Sequence, residues 1–279
     1  MSYNFNAIEV RDKAVAWIKK QAEEAHFSKV VIGISGGKDS TIAAALCCRA
    51  LGKENVHGLL MPNGVQADIN DSYEVCKALG IKHTVINIQP IYQAYLLQYG
   101  FATVEKDMVE TGRTGDHGQI DPFGDIENNI TTTEQAKINL APRIRMSMLR
   151  FYGQSNKCRL CGTGNLSEII LGYYTKDGDN RSDFNPLGGM TSIEVVEVGK
   201  TMEEIPEHLV VKAPADGLTG KTDEDNLGIK YEDVHKYARN LELDKDTWYK
   251  IHAMELANLH KRSIPVFDPM YKEVTSKLN

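Results

Sequence analysis

Four apolar residues, Ile8, Val15, Trp17 and Ile18, stand on a polar background across residues 7–25 and predict an opening helix, with Asn6 as its cap. The pattern then changes. Lys29 to Ile34 is a short β-branched run, the mark of a buried strand. A Gly-rich turn, Ser35 to Ser40, leads into the Ala- and Leu-rich stretch Thr41 to Leu51, which reads as a helix stopped at Gly52. Val56 to Met61 is a second strand, broken by Pro62, Asn63 and Gly64. Ala67 to Leu79 is a helix ended by Gly80, and His83 to Ile88 is a third strand. Three strand–helix repeats within about sixty residues imply an α/β fold, a parallel sheet flanked by helices and joined by right-handed crossovers.

The remainder is less regular. Residues 89–99 read as helix, and 110–128, rich in Gly and Asp without periodicity, as a long loop of the kind that serves function. Thr131 to Tyr152 is a long helix with Ile138, Leu140, Ile144, Met148 and Leu149 as core candidates. Arg159 to Gly162 reads as a fourth strand, followed by Gly164, Asn165 and a helix from Ser167. Residues 173–191 and 212–228 are polar and loop-like, and 231–262 are mainly helical. There is no internal repeat and no Pro- or Ser-rich linker, so residues 1–279 are expected to form a single domain.

Composition narrows the class. Hydrophobic residues make up 42% and charged residues 25%, as in ordinary globular proteins, which excludes a disordered or low-complexity chain. No apolar run reaches the ~18 residues that a membrane helix needs, and the first residues lack the pattern of a secretory signal. The net charge of −6 argues against nucleic acid as a partner. Five cysteines, sparse and odd in number, suit free thiols in a reducing compartment, so a cytoplasmic location is expected.

The chemistry is expected where the first strand turns into its helix. Backbone N–H groups at a helix N-terminus, with the positive end of the helix dipole, bind anions. Gly36 and Gly37 let the backbone approach an oxyanion, Ser35 and Ser40 add hydroxyls, and Lys38 adds charge. Lys38 is followed by Asp39, which separates this loop from the Walker A pattern.

This loop, SGGKDS after a strand, resembles the pyrophosphate loop of the N-type ATP pyrophosphatases, which cleave ATP to AMP and pyrophosphate. That superfamily includes GMP, asparagine, argininosuccinate and NAD synthetases and several tRNA-modifying enzymes. The second half of the chain chooses among them. Residues 160–168 (LCGTGNLSE), 172–179 (GYYTKDGD), 183–188 (DFNPLG), 139–146 (NLAPRIRM, with Pro142 where Ala is usual), 222–228 and 260–262 resemble blocks of the ammonia-dependent NAD synthetases, in family order from residue 30 to 265.

The resemblance implies a Rossmann-like fold of the adenine nucleotide α hydrolase type. It implies adenylation of the nicotinate carboxylate of deamido-NAD by ATP, followed by displacement of AMP by ammonia. Carried over by position, ATP contacts fall on Gly33, Ile34, Ser35, Gly36, Gly37, Lys38, Asp39, Ser40, Gln66 and Thr163. Mg²⁺ falls on Asp39 and Glu168. Deamido-NAD falls on Arg143, Lys176, Asp183, His260 and Lys261. Asp39, Glu168 and Asp183 are the catalytic candidates, with Asp183 proposed to hold ammonium. The family also implies a homodimer and small-molecule substrates only.

The chain departs from the family in two places. Many members carry an ATP-contacting Lys where this chain has Ser192, a charge that Lys200, Lys212 or Lys221 could supply. The segment 212–218 is also one residue shorter than usual. Cys158 and Cys161 lie i, i+3 on a strand, so they should face apart and pack as small hydrophobes rather than share a metal. The competing readings are a tRNA-modifying enzyme with the same loop and a nucleotide-binding protein without catalysis. The loops at 110–128 and about 212–226 are expected to order around nucleotide.

Overall fold

The computed structural model describes residues 3–66, 68–98, 133–212 and 223–262. Four parallel strands form its sheet: β1 (Val30–Gly33), β2 (Val56–Leu60), β3 (Lys82–Val85) and β4 (Arg159–Leu160), in the order β3-β2-β1-β4. The β-branched run of β1 lies at the centre, with Val30, Val31 and Ile32 all fully buried, as a strand covered on both faces requires. Successive side chains alternate between faces. Val30, Ile32 and Leu60 join one core with helices α1 (Ala7–Glu24), α2 (Lys38–Leu51), α3 (Ile69–Leu79), α7 (Ser192–Gly199) and α8 (Glu207–Val210). Val31, Leu59 and Leu160 join the other with α5 (Glu134–Asn156), while α4 spans 89–98. A third cluster gathers α6 (Leu166–Leu171), α10 (Tyr231–Ala238) and α11 (Lys245–Ala257), following the short α9 (Asp223–Leu227).

The chain runs outward from β1 to β2 to β3, then returns to the opposite side of β1 for β4. Strand order thus reverses between β1 and β4, and open parallel sheets bind ligands outside the carboxyl ends of the strands at such a reversal. The loops following β1 and β4 both open there, which places residues 34–40 beside residues 161–168.

Several expectations shift. β3 begins at Lys82 and ends at Val85, and β4 is two residues long, extended by a single bridge from Cys161 to Phe184. Ile8 and Trp17 are exposed (55% and 39%) because α1 meets its neighbours through Ile18 and Ala22. Ile138 is also exposed, since α5 first reaches the sheet a turn later, at Ala141. The expected loop at 110–128 lies outside the described residues, as do 213–222; the stretch 223–227 is helical rather than loop. Cys161 packs in the α2-side core and Cys158 against the α5-side core, facing apart as the strand period requires. Among the described residues no helix is long and apolar enough to cross a membrane.

Candidate active site

The turn after β1 is shaped by its own hydroxyls. Ser35 Oγ and Ser40 Oγ lie 3.1 Å apart, the Ser35 amide donates to Ser40 Oγ at 3.2 Å, and the Gly37 amide donates to Ser35 Oγ at 3.2 Å. Gly36 takes φ +79°, and a Cβ there would stand 2.8 Å from Asp71 Cβ and 3.0 Å from the Ser72 amide. Only glycine fits both demands. Gly37 caps α2 without a side chain, so the first amides of α2 retain donors for an anion. Gly33 and Ile34 lead into this turn as buried or half-buried backbone, with the Ile34 amide held by Leu59. Replacement of Gly36 by Ala should therefore cost stability by about 1–3 kcal/mol of backbone strain, read by urea denaturation, and weaken nucleotide binding. Unchanged stability and binding would show that the loop has another shape.

Lys38 is only 4% exposed and turns its ammonium to Asp39, at 2.6 Å. The other Asp39 oxygen accepts from Asn165 Nδ2 at 3.1 Å. Asn165, fully buried, caps α6 in a reciprocal box: its Oδ1 accepts from the Glu168 amide at 3.1 Å, and its own amide donates to Glu168 Oε2 at 2.8 Å. One asparagine therefore orients both carboxylates across the β1–β4 reversal. Desolvation, with the Asp39 charge facing it, pushes Glu168 well above the usual carboxylate range. Two carboxylates held by one asparagine suit a hard divalent cation, which takes one or two carboxylates and completes its shell with phosphate and water. Among the described residues no group of three or more His, Cys, Asp or Glu is placed to hold a metal. Thr163 is half-buried on the loop between β4 and Asn165.

A second group surrounds the turn at 172–180. Arg143 on α5 donates to the Lys176 carbonyl at 3.2 Å. Lys261 donates to the carbonyls of Gly172 (2.6 Å) and Tyr174 (3.3 Å) and lies 5.4 Å over the Tyr174 ring. His260 is exposed beside it. Asp183, by contrast, is engaged on both oxygens, one by Arg150 and one by the Leu160 amide at 2.8 Å. Sequence reasoning passed over Asp179. One of its oxygens takes the Thr175 amide at 2.8 Å, and desolvation raises its pKa against that bond and the charges of Lys261 and Arg145. Its signal was the final Asp of GYYTKDGD.

On the far side of the phosphate turn, Gln66 donates to Asp68 at 2.8 Å. Ser192 is buried, its amide bonded to Ser167 Oγ at 3.1 Å, so it lies inside the protein rather than in a ligand cleft. Of the three lysines weighed as its substitute, Lys200 pairs with Glu197 on the surface, Lys212 pairs with Asp68 and Asp71, and Lys221 lies outside the described residues.

These features coincide with what comparison shows. The NAD synthase family model matches residues 10–115 and 116–265. The chain belongs to the NAD synthase family. Relatives named NH(3)-dependent NAD(+) synthetase include those of Methanoregula boonei (35% identical, covering 84% of this chain and 85% of the relative) and Methanococcoides burtonii (36%, covering 92% and 94%). Among solved structures, the NMN synthetase of Francisella tularensis superposes with a TM-score of 0.78 at 28% identity, covering 95% of this chain and all of that one. The NH3-dependent NAD synthetase of Campylobacter jejuni superposes with a TM-score of 0.68 at 27% identity, covering 95% and 99%. Membership in the NAD synthase family agrees with the Rossmann-like sheet and with a loop aimed at phosphate.

Proposed function

We propose that this protein is an ammonia-dependent NAD synthetase: a ligase that amidates deamido-NAD at the expense of ATP and releases AMP and pyrophosphate. The observation that carries this reading is the bridge Asp39–Asn165–Glu168, which sets two carboxylates beside a phosphate-shaped turn at the strand-order reversal. A carboxylate is a poor acyl donor, because oxide does not leave. Attack of the nicotinate oxygen on the α-phosphorus forms the acyl adenylate and breaks the bond to the β-phosphate. Ammonia then adds to the carbonyl, and the bond to AMP breaks. The protein's part is alignment and charge compensation.

The α2 amides with Ser35, Gly36, Gly37 and Ser40 would hold the leaving pyrophosphate. Mg²⁺, when bound, would offset charge on the phosphates, with Asp39 and Glu168 as its protein ligands. Arg143, Lys176, His260 and Lys261 gather basic residues around the turn at 172–180, which suits the anionic dinucleotide, with Gln66 and Thr163 on the ATP side. Asp179, rather than the fully engaged Asp183, is the carboxylate free to hold ammonium and accept its proton. A second reading, amidation of nicotinate mononucleotide, is favoured by the TM-score of 0.78 against the Francisella tularensis structure. AMP release with ATP, Mg²⁺ and ammonium should follow deamido-NAD under the first reading and the mononucleotide under the second. Release driven by tRNA would favour the modifying-enzyme reading instead.

The nitrogen source yields a further expectation. Burial pushes the Cys48 thiol up to about 12 and Cys76 up to about 11, raises Cys158 and Cys161 as well, and encloses Cys47, which argues against the reactive thiolate a glutaminase needs. Glutamine freed of ammonium should give no NAD with this chain alone. Ammonium should serve, and its apparent KM should fall as pH rises toward about 9, because the neutral amine is the nucleophile and its share grows with pH. Turnover with glutamine, abolished by thiol alkylation, would contradict this. We also infer a homodimer in a reducing cytoplasm: Phe151 and Ile138 on α5 are 73% and 45% exposed, and all five cysteines are free.

A further inference from the structure

The first turn of α3 forms a second wall of the phosphate turn, since Gly36 lies against Asp71 and Ser72. On that wall Lys212, which follows α8, sits between two carboxylates, 3.3 Å from Asp68 and closer to Asp71. Asp68 is itself fixed by Gln66 at 2.8 Å. The Lys212 side chain remains 29% exposed. Next to Asp71 in the chain, the fully buried Ser72 Oγ has no hydrogen-bond partner among the described residues.

The charges around the turn do not yet suit a polyphosphate. Lys38 is buried and engaged by Asp39, so its ammonium faces a carboxylate rather than the turn. Asp68 and Asp71 add two further carboxylates on the α3 side, balanced by Lys212 alone among the contacts described. A nucleoside triphosphate entering here meets acidic walls unless a cation can reach its outer phosphates. Lys212 has the required features: a flexible four-carbon stem, access to solvent, and partners it can exchange for phosphate oxygens. Lys200 pairs instead with Glu197 on the surface, at the C-terminal end of α7.

We propose that Lys212 binds the β- and γ-phosphates of ATP from the α3 side of the turn, and that Asp68 and Asp71 are positioning residues that hold its ammonium beside Gly36. The inference rests on the reading that the turn takes ATP.

The test varies ATP at saturating deamido-NAD and ammonium, with inorganic pyrophosphate as the probe of the site. Lys212→Met should raise KM for ATP and the inhibition constant of pyrophosphate by about 10- to 100-fold, the range for losing a charge-assisted contact, while KM for deamido-NAD stays constant. Lys212→Arg should restore most of the loss. Asp71→Asn should raise KM for ATP in the native background and add nothing beside Lys212→Met. A measurement without variants accompanies these: pyrophosphate should slow acetylation of Lys212 severalfold and leave Lys200 unaffected. A lower melting temperature for Lys212→Met with KM for ATP and pyrophosphate inhibition unmoved would overturn the proposal, as would acetylation of Lys212 indifferent to pyrophosphate. Absence of ATP-dependent amidation in the unsubstituted protein would instead reject the reading beneath it.

Discussion

Asp39→Asn and Glu168→Gln are each expected to lower kcat roughly 100-fold or more, as the loss of one strong electrostatic contact of ~3 kcal/mol would. Both keep the shape of the side chain and remove an anionic ligand. Their effects on stability should differ, which separates chemistry from folding. Gln can still close the capping box with Asn165, and it removes a carboxylate that desolvation and Asp39 hold above its usual range, so Glu168→Gln should fold at least as stably as the native protein. Asp39→Asn leaves the buried Lys38 ammonium without its carboxylate and should be less stable. Near-normal turnover in both variants at limiting Mg²⁺ would remove these residues from the metal site.

The largest effect on stability should come from Arg239→Ala, a loss of about 3–5 kcal/mol, typical of leaving a buried charge unpaired. Glu194 is 1% exposed. Its carboxylate takes two bonds from Arg239, one from the Tyr3 hydroxyl at 2.6 Å and one from the Thr191 amide at 2.7 Å. Burial alone would raise its pKa, but these donors outweigh burial and hold it below the ordinary value. A lowered folded pKa contributes stability above the unfolded value of about 4.3, lost as pH falls through the folded one. In Arg239→Ala the unpaired Glu194 would instead favour its neutral form. The gap between variant and native protein should therefore narrow from pH 7 to pH 4 in urea denaturation. A gap that is small at pH 7, or that widens in acid, would contradict the assignment.

Local order was largely legible in the sequence. The β-branched run at 29–34 and the Gly-rich turn after it place β1, α2 and the phosphate site, because both signals are short-range. The spacing N-x-x-E at 165–168 is equally local, and it appears as a capping box. What escaped depends on long-range packing. Nothing periodic marks the two-residue β4 as the neighbour of β1, yet that pairing brings Asp39 to Asn165. Ile8, Trp17 and Ile138 fit a helical period but stay exposed among the described residues, Trp17 tilted against Phe184. Asp179 and Asp183 are indistinguishable as letters. They part only when Arg150 and the Leu160 amide engage both oxygens of Asp183, while the Thr175 amide engages one oxygen of Asp179.

The central claim is that a carboxylate of deamido-NAD is activated as an acyl adenylate in the site joined by Asn165. Deamido-NAD labelled with oxygen-18 in its nicotinate carboxylate tests it most directly, with product analysis by mass spectrometry after one turnover with ATP, Mg²⁺ and ammonium. The account expects NAD, AMP and pyrophosphate in equal amounts, with one labelled oxygen carried into the phosphate of each AMP. Formation of ADP and orthophosphate, or AMP free of label, would contradict it.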